Sequence, residues 1–415
     1  MSTTTSTPSA TSQPANTEWQ VKHHQVVIVG GGTGGLTVAA KLCKKKFGAS
    51  DVAVIEPAEK HYYQPMWTLV GGGAARREDT ERDEAAVMPK DATWIKDAVE
   101  TFEPEHNCVV LTSGQKVTYD VLIVAAGIQL NWDGIKGLKE AIGKGGVCSN
   151  YAYEYVNYTW KTLQDFKGGT AIFTHPTGAI KCGGAPQKIC YLADDHLRKR
   201  GIRDKCKVIF AIAKPVIFDV KKYADTLDQV VARKGIDVHF NSNLVEIRAE
   251  QKEAVFEAID TGEKTTIHYD MIHVTPPMSS PNFIAKSPLA DQAGWVDVDK
   301  NTLRHQRFEN VFALGDCSNL PTSKTGAAIR AQAPVVAENV ASFLKGSALS
   351  ASYDGYTSCP LVTGYGKLVL AEFDYNKNPK ETFPFDQSKE RWSMYMLKRY
   401  VLPLLYWKGM LKGRA

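Results

Sequence analysis

The sequence predicts an α/β protein made of two Rossmann-like dinucleotide-fold domains, followed by an amphipathic C-terminal tail. Three observations support this fold class: a glycine-rich turn between an apolar strand and a helix near residue 30, a later apolar strand that ends in Gly-Asp near residue 316, and a strand-loop-helix unit over residues 170–199. The chain has 415 residues, which is long enough to bury two domain-sized cores.

The glycine-rich turn follows the pattern of a dinucleotide-binding unit. Gly30, Gly32 and Gly35 satisfy G-x-G-x-x-G between the strand and the helix. The first glycine allows the tight turn, the second lets the backbone approach a pyrophosphate, and the third lets the helix lie against the strand. The helix that starts at Thr33 and Gly34 would present unpaired N–H groups and a positive dipole end to the phosphates.

An acid follows these glycines at the distance expected for a ribose ligand. The second strand, residues 52–55, ends in Glu56, and 56 − 35 = 21 residues separate that acid from the last glycine. An acid at this position binds ribose hydroxyls and disfavours a 2′-phosphate. A glycine pattern alone is a weak signal, but strand, glycines, helix, second strand and acid agree here. The alternative, a glycine loop without a ligand, is therefore disfavoured.

Composition excludes several classes of protein. Lys and Arg exceed Asp and Glu by 50 − 45 = 5, an excess too slight and too scattered for nucleic-acid binding. The eight cysteines are singletons without a C-x-x-C pair or a His/Cys cluster. The sequence therefore predicts neither a metal site nor a secreted disulfide scaffold. No apolar run approaches the roughly 18 residues of a membrane span, so any membrane association must be peripheral.

A divided flavin domain is predicted from two further strands. One apolar strand enters a small-residue turn at Ala126 and Gly127, and a later one ends in Gly315 and Asp316. The Gly-Asp pair resembles the second fingerprint of glutathione-reductase-like flavoproteins, in which the Asp binds the ribityl chain. We therefore expect these residues to bind FAD. The predicted segments are a FAD-binding domain in two parts (23–135 and 285–350), an inserted second Rossmann-like domain (145–284) and a C-terminal region (351–415).

The inserted domain lacks a second nucleotide motif. After its strand at 170–174 the loop contains a single Gly178 and then Cys182-Gly-Gly, where a pyridine-nucleotide reductase would carry G-x-G-x-x-G. The next strand leads to Lys214, with neither an acid nor an arginine pair for an adenosine ribose. The pattern indicates a nicotinamide domain whose cofactor site has been replaced by a cysteine loop.

Two cysteines stand in unusual surroundings. Cys182 follows Lys181 and precedes a helix whose first turns contain Lys188, and nearby lysines and a helix N-terminus favour a reactive thiolate. The alternative is a small buried cysteine, although Gly-Gly-Ala-Pro leaves few side chains to bury it. Cys359 lies in a turn-rich segment, and the Cys-Pro sequence predicts an exposed thiol. The two are 359 − 182 = 177 residues apart, so only the fold could bring them together.

The C-terminal tail is basic and aromatic. Residues 391–415 contain six basic residues, five aromatic residues and no acid, and Pro403 is expected to split the helical pattern into two short pieces. This composition suits a membrane-binding helix pair at the lipid surface, where a lipid quinone could enter. The alternative is a tail helix that packs on its own domain.

Taken together, the chain resembles the sulfide:quinone oxidoreductase family, in particular the branch that includes the mitochondrial enzyme. The resemblance spans about residues 26–407. The matching segments are 29–35, 61–65 with 67–71, 181–188, 273–278, 315–325, 353–364 and 383–390. Gln64 and Lys324 lie in matching segments, and the resemblance assigns both to FAD binding. On composition alone, the loop that carries Gln64 fits an ordinary core-packing loop equally well.

The resemblance implies FAD-dependent oxidation of hydrogen sulfide coupled to reduction of ubiquinone or another membrane quinone. Cys182 and Cys359 correspond to the redox pair, which is bridged in the resting enzyme, in some members through an extra sulfur. Sulfide attacks the bridge and leaves a persulfide on Cys359, while the freed thiolate of Cys182 reduces the flavin. The sulfane sulfur passes to glutathione, sulfite or sulfide. Lys188 and Lys398 match basic residues that favour anions in the pocket. A homo-oligomer remains open.

This chain departs from the mitochondrial-type pattern at two points. Cys148 lies near the position at which bacterial relatives carry a third cysteine, whereas the mitochondrial-type pattern has no cysteine there. Residues 1–22 are Ser/Thr-rich, predict a disordered tail and contain no arginine-rich presequence, which favours a bacterial over a mitochondrial inner membrane. Three rivals stay open: a type-2 NADH:quinone oxidoreductase, the flavin subunit of a flavocytochrome sulfide dehydrogenase, and a flavin-bearing persulfide sensor without turnover.

Overall fold

The computed structural model describes residues 21–415. The predicted disordered tail, residues 1–22, lies outside the described residues except for its last two, and Lys22 begins the first strand. The strands are β1 Lys22–Val29, β2 Val52–Ile55, β3 Lys60–Tyr62, β4 Glu81–Asp83, β5 Ala92–Ile95, β6 Val99–Glu103, β7 Cys108–Leu111, β8 Lys116–Val124, β9 Gln129–Leu130, β10 Val147–Cys148, β11 Gly169–His175, β12 Cys206–Ile212, β13 Asp237–His239, β14 Ser242–Arg248, β15 Glu253–Ala258, β16 Lys264–His268, β17 Met271–His273, β18 Met278–Ser279, β19 Val311–Ala313, β20 Thr357–Gly364 and β21 Lys367–Phe373.

Helices cover the sheets and form the end of the chain. They are α1 Thr33–Leu42, α2 Trp67–Gly71, α3 Glu84–Val87, α4 Leu138–Ala141, α5 Tyr153–Asp165, α6 Ala185–Lys199, α7 Lys221–Lys234, α8 Asn282–Ala285, α9 Gly326–Leu344, α10 Trp392–Met396 and α11 Leu402–Leu404. Two π-helical segments, Leu397–Val401 and Leu405–Gly409, and a 3₁₀ turn, Met410–Lys412, complete the tail.

The first sheet has the order β5-β2-β1-β8-β7-β6, and β19 also pairs with β8. Strands β5, β2, β1, β8 and β19 are mutually parallel, and Val29 pairs with both Ile55 and Val124. Val27 and Ile28 are fully buried, as expected for a parallel strand covered on both faces. Because parallel strands end at the same edge, the segments that follow β1, β2, β8 and β19 meet there, which is where such sheets bind ligands.

The second sheet is entirely parallel, in the order β10-β17-β11-β12-β13. In its centre Phe173 of β11 pairs with Phe210 of β12 and with His273 of β17. Helix α6 packs against β11 and β12 on one side and against β20 of the β20–β21 hairpin on the other. The loop that carries Cys182 therefore leaves the carboxyl edge of this sheet and leads into α6.

The parallel strands of the first sheet, to which β7 and β6 add antiparallel pairs, and the all-parallel second sheet confirm the predicted α/β fold with two Rossmann-like units. Two local predictions were wrong. Residues 357–364 form a strand rather than a turn-rich segment, and Pro403 does not divide the tail. Pro403 lies in the first turn of α11, and π-helical turns on both sides keep the chain on a helical path although proline donates no hydrogen bond. Within residues 21–415, no helix combines the length and the hydropathy needed to cross a membrane.

Candidate active site

The turn after β1 is built so that only glycine fits at two positions. Gly30 has φ +102°, and a Cβ there would lie 2.7 Å from the carbonyl oxygen of Ala125. A Cβ on Gly35 would overlap the carbonyl oxygen of Gly30. The absence of side chains thus lets α1 start directly over the strand end. Gly32, in contrast, is exposed, and a Cβ there would meet no atom within 4 Å, so the backbone is open to a ligand.

The start of α1 fits a phosphate group. Leu36 N–H is the first to bond within the helix, to the carbonyl of Gly32, so Thr33, Gly34 and Gly35 present N–H groups without an intrahelical partner. No acid lies in the first turn, and no side chain caps it. The Thr33 hydroxyl contacts the hydroxyl of Tyr406, a residue of the tail, at 3.0 Å. This donor set and the positive end of the helix dipole suit a dinucleotide pyrophosphate.

Glu56 is held rigidly beside this turn. Its Oε2 accepts from the backbone N–H of Gly31 at 2.7 Å, and its Oε1 accepts from that of Ala58 at 2.8 Å. Burial raises the pKa of Glu56, and the two backbone hydrogen bonds oppose that rise. Each carboxylate oxygen keeps a second lone pair, so the side chain could still accept from ribose hydroxyls.

The segment after β19 contributes the carboxylate of Asp316. Gly315 has φ +74° and donates its N–H to Gln332 at 2.9 Å. In the described part of the chain no hydrogen bond reaches the Asp316 carboxylate, and burial raises its pKa while Lys324 and Lys181 oppose that rise. Lys324 Nζ donates to the carbonyls of Asp316 at 2.6 Å and Ser318 at 3.0 Å. A half-buried acceptor of this kind fits the hydroxyls of a ribityl chain.

The other predicted cofactor residues surround the same edge. Gly127, with φ +73°, and the partly buried Ala126 follow β8, and a Cβ on Gly127 would meet nothing within 4 Å. Gln64 is exposed in the loop before α2 and accepts from Lys181 Nζ at 2.8 Å. The donors, the carboxylates and the open glycines fit FAD.

The fold brings the two predicted redox cysteines together. Cys182 Sγ and Cys359 Sγ are 3.3 Å apart. Cys182 has φ +53°, a left-handed conformation that is strained for a residue with a Cβ and that often marks a functional site. Its N–H donates to the carbonyl of Lys324 at 2.9 Å, which fixes the cysteine loop beside the Gly315–Asp316 segment.

Cys359 is not exposed, contrary to the sequence prediction. It lies in β20 and is 1% exposed, because the β20–β21 hairpin packs onto α6. A Cβ on Gly184 would lie 2.7 Å from Cys359 Sγ, so the glycine provides the space that this sulfur occupies. Cys182, in contrast, is only partly buried.

Electrostatics distinguish the two sulfurs. The hydrogen bond with Cys359 and the charge of Lys188, whose Nζ lies 3.2 Å from Cys182 Sγ, hold the pKa of Cys182 well below its usual range. The same hydrogen bond, together with burial, holds the pKa of Cys359 well above it. Burial would lower the pKa of Lys188, but the two sulfurs outweigh burial and raise it. The arrangement therefore favours a thiolate on Cys182 and a thiol on Cys359.

Two further lysines border the pair. Lys398 reaches in from the tail, is buried and donates to the carbonyl of Pro65 at 2.7 Å; burial, and then Lys188, lower its pKa to about 7. Lys181 was expected to act on Cys182, but its ammonium instead contacts Gln64 and the carbonyl of Tyr151 at 3.4 Å. Burial lowers the pKa of Lys181 to about 8. The sequence did not reveal this contact between the cysteine loop and the loop that carries Gln64.

The third cysteine considered from the sequence has a different environment. Cys148 is fully buried in β10, and burial raises the pKa of its thiol to about 12. The structure thus gives no support for a reactive thiolate at this position.

A basic cavity of about 310 Å³ adjoins the cysteine loop at the carboxyl ends of β11 and β12. Gly183, next to Cys182, forms part of its wall. Lys214, Lys324 and Lys377 bring positive charge to the lining, and Asp219 is paired with Lys214. The cavity therefore lies where a nicotinamide domain would hold its nucleotide, and its charge suits a smaller anion.

The tail has two faces. Its buried side packs against the first domain through Met394, Tyr395, Tyr406, Met410 and Leu411. On the other side, Trp392 is 66% and Leu404 61% exposed, and Val401 is also exposed. The tail is therefore both a packed element and an apolar surface.

Comparisons with known proteins identify the family of this chain. Residues 24–157 and 196–333 match the family described as pyridine nucleotide-disulphide oxidoreductase. The chain is 53% identical to a mitochondrial sulfide:quinone oxidoreductase of Dictyostelium discoideum over 94% of the chain and 86% of that protein. It is 50% identical to the mitochondrial enzyme of Mus musculus over 94% of the chain and 87% of the relative. The chain belongs to the sulfide:quinone oxidoreductase family.

The fold of the family is also recognisable in three dimensions. The crystal structure of the sulfide:quinone oxidoreductase from Aquifex aeolicus superimposes with a TM-score of 0.82, covers 95% of this chain and 93% of its own, and is 22% identical in sequence. The two relatives compared above are named as mitochondrial proteins, so the comparisons do not support the predicted preference for a bacterial inner membrane.

Proposed function

We propose that the protein oxidises hydrogen sulfide at Cys182 and Cys359 and passes two electrons through FAD to a membrane quinone. The observation that carries this proposal is the cysteine pair itself: two sulfurs 3.3 Å apart, one stabilised as a thiolate by Lys188, beside the cofactor-side segments of the fold. FAD, held by the glycine turn, Glu56 and Asp316, would supply the two-electron acceptor that quinone reoxidises.

The chemistry begins with the bridged pair. Hydrosulfide attacks Cys359 Sγ, a new S–S bond forms, and the bond to Cys182 breaks, so Cys182 leaves as a thiolate and Cys359 carries a persulfide. Lys188 stabilises that leaving thiolate, since its ammonium lies 3.2 Å from the sulfur. Re-forming the bridge between the two cysteines releases two electrons, for which FAD, when bound, would be the acceptor. The observed 3.3 Å between the two sulfurs is longer than a disulfide bond of about 2.05 Å, so the sulfurs must approach each other to form a direct bridge. One added sulfur, bonded to both, could span the observed distance.

The sulfane sulfur then needs an acceptor. The acceptor, as a nucleophile, attacks the outer sulfur of the Cys359 persulfide and returns Cys359 as a thiolate. The cavity beside Gly183, with Lys214, Lys324 and Lys377 in its lining, favours an anionic acceptor such as glutathione or sulfite over a neutral one. Hydrosulfide, which is also an anion, remains a third possible acceptor.

The tail supplies the proposed membrane contact. Exposed Trp392, Val401 and Leu404 stand among basic residues, a pattern that suits a helix lying in a lipid surface. The same tail places Lys398 beside the cysteines. We propose a peripheral membrane protein whose quinone enters between the tail and the flavin.

One rival is disfavoured by the site, and a second can be distinguished by turnover. A type-2 NADH:quinone oxidoreductase would need a nucleotide at the second sheet, where Cys182 and Lys214 stand instead of glycines and an acid. A persulfide sensor without turnover would need no reoxidation of its flavin. Anaerobic mixing with NADH tests the first rival, and repeated turnover with sulfide and a soluble quinone tests the second.

The decisive experiment is an anaerobic sulfide titration of the wild type, Cys182→Ser and Cys359→Ser, followed by flavin absorbance. We expect sulfide to bleach the wild-type flavin and neither variant, with FAD retained in all three. Cys148→Ser is the matched control and should bleach as the wild type does. Normal bleaching in either active-site variant would remove that cysteine from the mechanism, and bleaching by NADH but not by sulfide would reverse the assignment.

A further inference from the structure

A buried chain of hydrogen bonds joins the tail to the phosphate-binding turn. Glu84 Oε2 lies 3.1 Å from His61 Nδ1, and His61 Nε2 lies 2.5 Å from the hydroxyl of Tyr406. That hydroxyl is in turn 3.0 Å from the Thr33 hydroxyl at the start of α1. Four residues that are far apart in sequence thus form one continuous polar path.

This path is buried and reaches the turn at two points. Glu84 is 1% exposed, and His61 and Tyr406 are each 3% exposed. The second carboxylate oxygen of Glu84, Oε1, is buried without a hydrogen-bond partner among residues 21–415. It points at the turn, since a Cβ on Gly31 would lie 2.7 Å from it. Burying a polar atom without a hydrogen-bond partner costs free energy, so an unpaired Glu84 oxygen beside the turn is not expected from packing of the tail alone.

The tail also follows the rest of α1. Lys44 Nζ, just beyond the end of α1, donates to the carbonyl of Gly413. Gly413 lies against the backbone of Ala40, where a Cβ would come within about 2.5 Å of the carbonyl oxygen. The tail is therefore attached to both ends of the helix whose N-terminus faces the cofactor site.

We infer that Tyr406 is a positioning residue for the phosphate-binding turn and couples docking of the tail to retention of FAD. Phosphate oxygens only accept hydrogen bonds, so a Thr33 hydroxyl that donates to a phosphate leaves only its oxygen lone pairs for Tyr406, which must then donate to it. Tyr406 can donate in that direction when His61 is an imidazolium, whose Nδ1–H donates to the Glu84 carboxylate and whose Nε2–H donates to the Tyr406 oxygen. The inference rests on the proposed FAD site and adds that the tail completes it.

Removal of one hydroxyl tests the coupling. In Tyr406→Phe, purified with FAD, we expect cofactor affinity to fall about 3- to 10-fold, the range for one buried hydrogen bond, measured from the release of fluorescent free flavin on dilution. Tyr400→Phe is the matched control, because Tyr400 belongs to the same tail but is 60% exposed. Equal retention of FAD by Tyr406→Phe and the wild type would overturn the inference.

Coupling must also act in the opposite direction. Trypsin should cleave after Lys408, an exposed tail residue, more slowly in FAD-loaded than in FAD-free wild type, and this difference should shrink about 3- to 10-fold in Tyr406→Phe. If Tyr406 only stabilises the packing of the tail, Tyr406→Phe should accelerate cleavage equally with and without FAD. That result would overturn the coupling. Loss of bleaching by sulfide with normal coupling would remove only the proposed function, whereas a protein that takes up no FAD would remove both.

Discussion

The parallel strands of the two main sheets end in the same geometry but lead to different residues. At the carboxyl edge of the first sheet, Gly30 and Gly35 let α1 start directly over the strand end, Gly32 leaves the backbone open, and Glu56 lies beside the turn. At the corresponding edge of the second sheet, β11 leads to Cys182 and β12 leads to Lys214. The difference indicates that a cysteine loop with nearby lysines replaces the glycines and the acid of a nucleotide site at the second edge.

The largest expected effect comes from removing the sulfur of the β20–β21 hairpin that faces Cys182 at the second edge. Cys359→Ala leaves Cys182 without a partner to bridge, so we expect sulfide turnover to fall by at least about 1000-fold. The first edge should be unaffected, so FAD content should match that of the wild type. Turnover with sulfide and a soluble quinone, together with the flavin absorbance of the purified protein, measures both. Turnover near the wild-type rate would contradict the assigned chemistry.

A methyl group added to each turn should separate the two edges. In Gly35→Ala the new Cβ overlaps the Gly30 carbonyl, so α1 must move; we expect the free energy of unfolding to fall by about 1–3 kcal/mol and FAD affinity by about 10- to 100-fold. In Gly183→Ala the Cβ meets nothing within 4 Å, and FAD should be retained. Thermal unfolding and flavin content test the pair. Loss of FAD from Gly183→Ala would show that the edges are not independent.

These edges also show what sequence can predict. The first was foreseen because G-x-G-x-x-G and Glu56 form a local pattern with a fixed spacing. The burial of Cys359 was not, because it depends on a hairpin that packs onto α6, far away in sequence. Lys188 was expected near Cys182 because it lies in the first turns of the following helix, and it does contact the sulfur. Lys181 was expected there too, but its ammonium instead contacts Gln64 in a distant loop. No spacing rule signals such contacts.

The same limit applies to the tail. Its composition predicted an amphipathic element, and the exposed apolar face is present. The contact of Tyr406 with Thr33 and His61 joins residues more than 300 positions apart, so only the tertiary fold reveals it. Composition alone left the packed and the membrane-facing interpretations as alternatives, and the structure gives the tail both a packed and an exposed side.

Removing the ammonium beside Cys182 should change the pH dependence of the second edge. The hydrogen bond with Cys359 and then Lys188 keep the pKa of Cys182 low, so Lys188→Met should raise that pKa. The thiolate is lost as pH falls through the pKa, and the acid limb of flavin reduction should therefore move to higher pH. We expect reduction at neutral pH to slow about 10- to 100-fold and to recover in alkali. Stopped-flow reduction across pH measures this, and an unshifted acid limb would exclude Lys188 from that role.

The smallest expected effect concerns the exposed apolar face of the tail, beside which we propose that the quinone enters. Leu404→Asp removes one exposed apolar side chain, worth about 1.5 kcal/mol on insertion, so binding to phospholipid vesicles should weaken about 10-fold in flotation assays. Val216→Asp is the matched control, since Val216 is also exposed but lies outside the tail. Equal loss in both variants would point to a general effect of added charge. Loss of vesicle binding in Leu404→Asp alone would identify the tail as the membrane contact, because Leu404 lies in the basic tail and Val216 does not.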